Sequence, residues 1–126
     1  MAKKSRSAGS AASNALRAAL PTDLKVIDVP SGASVEVDVD VNDMVIPYTI
    51  AYDGRVLIKS LVDQRERVEP LTPGTHRLQW GFAHAVKEWM HKVSVLIDGV
   101  ETVLEKKSEA AKDADHSIGV AFLVVR

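Results

Sequence analysis

The sequence predicts an all-β fold, a two-sheet antiparallel β-sandwich of about eight strands, on three observations. Valine occurs 18 times in 126 residues, and valine is stiff at χ1 and packs well on a pleated surface. The run Val35-Glu36-Val37-Asp38-Val39-Asp40-Val41 has the two-residue period of a strand with one dry face. Turn signals recur at short intervals: Pro30-Ser31-Gly32, Asn42-Asp43, Asp53-Gly54, Pro73-Gly74 and Asp98-Gly99. There is no fixed-period repeat and no strand–helix alternation, which removes the doubly wound and α/β-barrel enzyme folds.

Element by element, Leu24–Val29 reads as a short strand closed by Pro30. The valine–acid ladder at 35–41 follows it. Residues 44–52 and 55–62 form a hairpin about Asp53-Gly54, a strong two-residue turn. An uninterrupted register there places Tyr52 opposite Arg55, Ile50 opposite Leu57 and Tyr48 opposite Lys59. Both faces of this hairpin are then largely apolar, so something must cover the second. A second hairpin, 92–97 with 100–106 about Asp98-Gly99, sets Val93, Val95, Ile97 and Leu104 on a core face. Ser94 falls on its wet face, and Lys92 faces Glu105. The last strand, Ile118–Arg126, is apolar on both sides and is expected in the middle of a sheet. Residues 81–91 fit either a strand or a short helix. Packing such strands in two layers suggests an immunoglobulin-like or jelly-roll arrangement.

The chain length suits one domain. Sixteen Lys+Arg against 17 Asp+Glu give a net charge of -1. Residues 1–22 carry Lys3, Lys4, Arg6 and Arg17 and no acid, so they read as a flexible basic tail. Their positive start lacks the apolar stretch of a signal peptide. The sandwich domain, 23–126, is left acidic, which excludes a basic nucleic-acid-binding body. No apolar run approaches the ~20 residues of a membrane span. Cysteine is absent, so disulfides, zinc–thiolate sites and thiol nucleophiles are excluded, and a cytoplasmic location is expected.

Candidate chemistry is sparse, and no cofactor is expected. The acids Asp38, Asp40 and Asp43, with Glu36 and Asn42, are the residue types that bind calcium. Alternate residues of one strand lie about 7 Å apart, so a solvated strand face explains them better than an ion. Asp40-Val41-Asn42-Asp43 resembles the DxND ligand string of cadherin repeats over four residues, without its companion motifs. Read as a helix, residues 84–91 place His84, Glu88 and His91 on one side, but the two histidines stand about 10 Å apart, two turns along. Asp113, Asp115 and His116 collect in a polar loop. No Gly-x-Ser-x-Gly elbow, phosphate-cradling glycine loop or HExxH string is present, so no enzyme is expected. The alternation sends Trp80 and Trp89 inward.

These readings converge on a non-enzymatic, self-associating binding or assembly module, with a homo-oligomer as the expected partner. Its expected interface is the face bearing Tyr48, Tyr52, Arg55, Leu57 and Lys59, while Ala51, Val56 and Ile58 line the core. The alternative is a carbohydrate-binding sandwich, with tyrosine, tryptophan or calcium engaging a glycan; a small hydrolase ranks third.

Overall fold

The computed structural model describes residues 25–83, 89–108 and 116–126. The 1–22 tail, the His84–Glu88 part of the histidine pattern, and Asp113 and Asp115 lie outside these residues. Nine strands are described: β1 (Lys25–Val29), β2 (Val35–Asp40), β3 (Tyr48–Tyr52), β4 (Arg55–Ser60), β5 (Gln64–Arg67), β6 (Gly74–Ala83), β7 (Met90–Ile97), β8 (Val100–Ser108) and β9 (His116–Val125). They form a five-stranded sheet, β1-β9-β6-β3-β4, and a four-stranded sheet, β5-β2-β7-β8. One buried cluster joins the inner faces of both sheets, which is the sandwich the valine pattern predicts. All neighbours are antiparallel except β1 and β9, which run parallel from Lys25 opposite Ala121 to Val29 opposite Val125.

Alternation does the local work. Val35, Val37 and Val39 point into the core while Glu36, Asp38 and Asp40 stay at the surface. β9 lies between β1 and β6, so the doubly apolar last strand is central as expected. Its Ala121, Leu123 and Val125 join the core cluster, and Ile118, Val120, Phe122 and Val124 alternate with them on the other face, where Ile118 is exposed and Val124 buried. Residues 81–83 continue β6 and residues 90–91 open β7, so the described ends of the ambiguous 81–91 segment are strand. Trp80 and Trp89 are both in the core cluster.

Both Asp-Gly turns close two-residue hairpins with consecutive positive φ, 50° and 82° at Asp53-Gly54 and 50° and 83° at Asp98-Gly99. Near each turn the register is the expected one. Farther away each hairpin slips by one residue at a bulge. In the first, Tyr52 faces Arg55 and Ala51 faces Val56, but then Ile50 faces Ile58, Thr49 faces Lys59 and Tyr48 faces Ser60. In the second, Ser94 faces Val103, and then Val93 faces Glu105 and Lys92 faces Lys106. The expected Lys92–Glu105 pair is therefore absent; the Lys92 ammonium instead lies 3.3 Å from Glu101.

Ser94 also departs from expectation. It is fully buried, and its hydroxyl donates to Glu101 Oε2 at 2.7 Å. The central position of β7 and the charged side chains around it, Asp38 and Arg65 on one side and Lys92 and Glu101 on the other, roof over this small residue. Substitution at the two neighbouring positions then has two different causes of failure. Val95→Asp places an unpaired carboxylate in the core and is expected to cost several kcal/mol, about 3 or more. Ser94→Asp sets a second carboxylate against Glu101 and is expected to lower the urea midpoint clearly, while Ser94→Ala costs about 1 kcal/mol. Urea titrations of the three variants check the ranking.

Candidate interaction surface

Across the outer face of the five-stranded sheet, the registers align Lys59, Thr49, Gly81 and Ile118 in one row. Gly81 has no side chain there, and a Cβ at that position would meet nothing within 4 Å. The result is a mainly apolar groove of about 520 Å³, floored by Thr49 and Gly81 and walled by Pro47, Leu61, Ala83 and Ile118. Ile118 is 72% exposed and Leu61 49%. The Ile46 N–H donates to the Leu61 carbonyl at 2.9 Å, which keeps the exposed Val45 close to Leu61 and Val62. A single exposed aliphatic residue is ordinary, but a cluster around a groove marks a contact surface.

The sheet edges are built differently. All four residues of β5, Gln64, Arg65, Glu66 and Arg67, are exposed. β8, at the other edge of that sheet, carries Glu101, Glu105, Lys106 and Lys107. Charged edge strands discourage strand addition, so the face of the five-stranded sheet is the better contact surface.

The residues expected to form the interface are distributed otherwise. Tyr48 and Tyr52 turn inward beside Ile50, at 4% and 2% exposure, so the assumed face is the core face. Inward-facing tyrosine needs a partner for its hydroxyl. Tyr48 donates to the Val62 carbonyl, and Tyr52 donates to the Pro70 carbonyl at 2.7 Å. Burial raises both phenol pKa values, that of Tyr52 to about 12. Ala51 and Val56 were expected in the core and instead lie on the outer face, Val56 being 64% exposed; Ile58 is in the core as expected. Arg55 is exposed and Leu57 half-buried, and of the five expected interface residues Lys59 and Tyr48 line the groove.

The acidic ladder is not gathered around one point. Asp38 pairs with Arg65 at 3.1 Å, Asp40 accepts the Asn42 N–H at 2.7 Å, and Asp43 sits in a left-handed turn with φ 59°. Among the described residues no group of three or more His, Cys, Asp or Glu side chains is placed to hold a metal ion.

Two histidine–carboxylate pairs emerge that the residue pattern does not reveal. The bulge in β8 turns Glu105 to the inner side, opposite Val93, where its Oε2 lies 2.6 Å from His91 Nε2. His91 is fully buried and stacked between Phe82, at 3.9 Å and 3°, and Trp89, at 5.8 Å and 12°. Burial pushes the Glu105 carboxyl up, but His91, Lys107 at 3.8 Å and the nearby Trp80 indole outweigh it and leave the pKa lowered. The Trp80 Nε1 itself has no partner within hydrogen-bonding geometry. Its ring lies against Gly119, where a Cβ would come within 2.2 Å of that nitrogen, so residue 119 must be glycine for the indole to stay. In the second pair, His76 Nδ1 lies 2.6 Å from Asp53 Oδ2 at the β3–β4 turn.

No protein-family model, curated protein or solved structure matches this chain.

Glu105 gives this region a pH signature. Its folded pKa is lowered, so its contribution to stability is complete above the ordinary glutamate range and is lost as pH falls through the lowered value. Glu105→Gln is expected to cost about 2 kcal/mol at neutral pH and to flatten the acid side of the stability profile. Urea unfolding of both proteins from about pH 3 to about pH 7 measures it.

Proposed function

We propose that this protein is a non-enzymatic, cytoplasmic assembly module, a β-sandwich that self-associates through the outer face of its five-stranded sheet. The observation that carries the reading is the apolar groove with Ile118 and Leu61 exposed on its walls. Two-fold homodimers are the commonest soluble assembly, and their interfaces are richer in apolar surface than the rest of the protein. Charged strands at both edges of the four-stranded sheet favour packing by the face.

The two histidine–carboxylate pairs support a non-catalytic reading. His91 is buried beneath aromatic rings, and both ring nitrogens of His76 are already engaged, so neither offers a free base to a substrate. The carbohydrate reading has less to stand on, because Tyr48, Tyr52, Trp80 and Trp89 all lie in the core, where no sugar ring can stack.

The test is the assembly state. Sedimentation of the unmodified protein at tens of micromolar should show a dimer or larger species. Ile118→Asp combined with Leu61→Asp should give a monomer, with a melting temperature lowered by no more than about 4 °C because both sites are at the surface. A monomeric unmodified protein would sink the proposal.

A further inference from the structure

His76 is a buried titratable group away from the groove. It lies on the inner side of β6, is 8% exposed, and tilts against the Tyr52 ring at 5.4 Å between centroids. Its Nδ1 is 2.6 Å from the Asp53 carboxylate and its Nε2 is 2.6 Å from the Thr72 carbonyl oxygen. Both partners only accept hydrogen bonds. A neutral imidazole carries one N–H and an imidazolium carries two, so only the cation satisfies both contacts. The Thr72 hydroxyl, 3.4 Å from Nε2, is the group that a neutral ring would have to recruit as a donor.

We propose that His76 is a protonation-controlled latch. As an imidazolium it fastens the 68–73 segment, which crosses from the four-stranded to the five-stranded sheet, over one end of the sandwich; deprotonation frees the Thr72 end of that strap.

The neighbouring contacts decide which side gives way. Asp53 is held independently, since its Oδ1 accepts the Arg77 N–H at 2.8 Å and its own N–H donates to the Arg77 carbonyl at 2.8 Å. The start of the strap is held too, by the Val68 N–H on the Val35 carbonyl at 2.8 Å and by Tyr52 on Pro70. Thr72 is the attachment that depends on His76, so release is confined to residues 71–73. The charged and titratable groups around the ring agree with this direction. Asp53 faces it from the β3–β4 turn, with Arg55 and Arg77 beside that carboxylate. Tyr52 faces it from β3, and β9 contributes only Leu123 opposite it. Glu69, the charged residue of the strap, is turned to Arg67 at 3.2 Å.

Burial alone would lower the His76 pKa, but the Asp53 contact and the Thr72 carbonyl outweigh burial and raise it above 6.5. Asp53 is lowered by the same contact and by the Arg77 N–H, against its own burial. The latch is thus fully closed below the ordinary histidine value and opens as pH rises through the raised one. On the acid side it holds until Asp53 takes up a proton, below the ordinary aspartate range.

The test uses the full chain with ring-¹⁵N histidine. Below pH 6.5 both His76 nitrogens should carry protons, and the titration midpoint should lie above that value. Through it, the ¹³C resonance of the Thr72 carbonyl should shift as its hydrogen bond to the ring is lost, while the Val68 amide stays protected from exchange. In His76→Gln that resonance should show no titration between about pH 6 and about pH 9. Should that variant fail to fold, Asp53→Asn, which must lower the His76 midpoint, takes its place. A His76 ring with one proton below pH 6.5, or a Thr72 carbonyl resonance that ignores the titration, would overturn the latch.

Discussion

Val35, Val37 and Val39 enter the space between the sheets and share one buried cluster with Ile50, Leu78, Trp80 and Leu123 from the opposite layer. That shared layer is the constraint on which the rest depends. Burying it removes most of the apolar surface of nine short strands from water, at roughly 25 cal/mol for each Å². It also dictates which side of every strand is inner. Once β2 and β9 are oriented, a one-residue slip in any partner would turn its apolar set toward solvent. The two bulges are where the hairpins reconcile turn geometry with this demand. Each turn sets the first pairs, and each bulge then resets the register: the first brings Ile58 into the core, and the second sets Glu105 opposite Val93 while Leu104 stays buried.

The same bulges place polar groups inside. Glu105 would face outward beside Lys92 in an unbroken hairpin, and the slip brings it in to meet His91. A buried carboxylate is tolerated only with partners, and here it has His91 at 2.6 Å and Lys107 at 3.8 Å. Asp53 and His76 solve the equivalent problem at the β3–β4 turn, where hydrogen bonds tie the turn to β6. Each pair joins neighbouring elements of one sheet through residues distant in sequence. Removing one member leaves the other desolvated with its shortest contact gone, which costs more than the pair's net contribution.

The two outer faces differ in kind. On the four-stranded sheet, Glu36, Asp38 and Asp40 of β2 run between the arginines of β5 and Lys92 of β7, so opposite charges alternate across the strands. Such exposed pairs add little stability, but they keep the face wet and discourage stacking. On the five-stranded sheet the row Lys59-Thr49-Gly81-Ile118 has one charge, and its groove is apolar. This asymmetry leaves the five-stranded sheet with the more apolar of the two outer faces, which is what supports the proposed association through it.

Alternation and turn chemistry were enough to establish the all-β class, the inner valines of β2, both Asp-Gly turns, the central place of the last strand and the inward tryptophans. These are local properties, because side-chain period and turn backbone are decided within a few residues. Strand β5 was not legible. Gln-Arg-Glu-Arg has no apolar alternation, and it is a strand because β2 offers an edge to pair with. The bulges, the inward tyrosines, the buried Ser94 and the His91–Glu105 pair were equally out of reach. Two registers one residue apart satisfy the same local pattern, and the choice between them is made by what the opposite sheet can bury. The parallel docking of β1 on β9 and the groove at Gly81 likewise exist only once distant strands are neighbours. Residue types determined which groups could be dry, and tertiary packing decided which of them were.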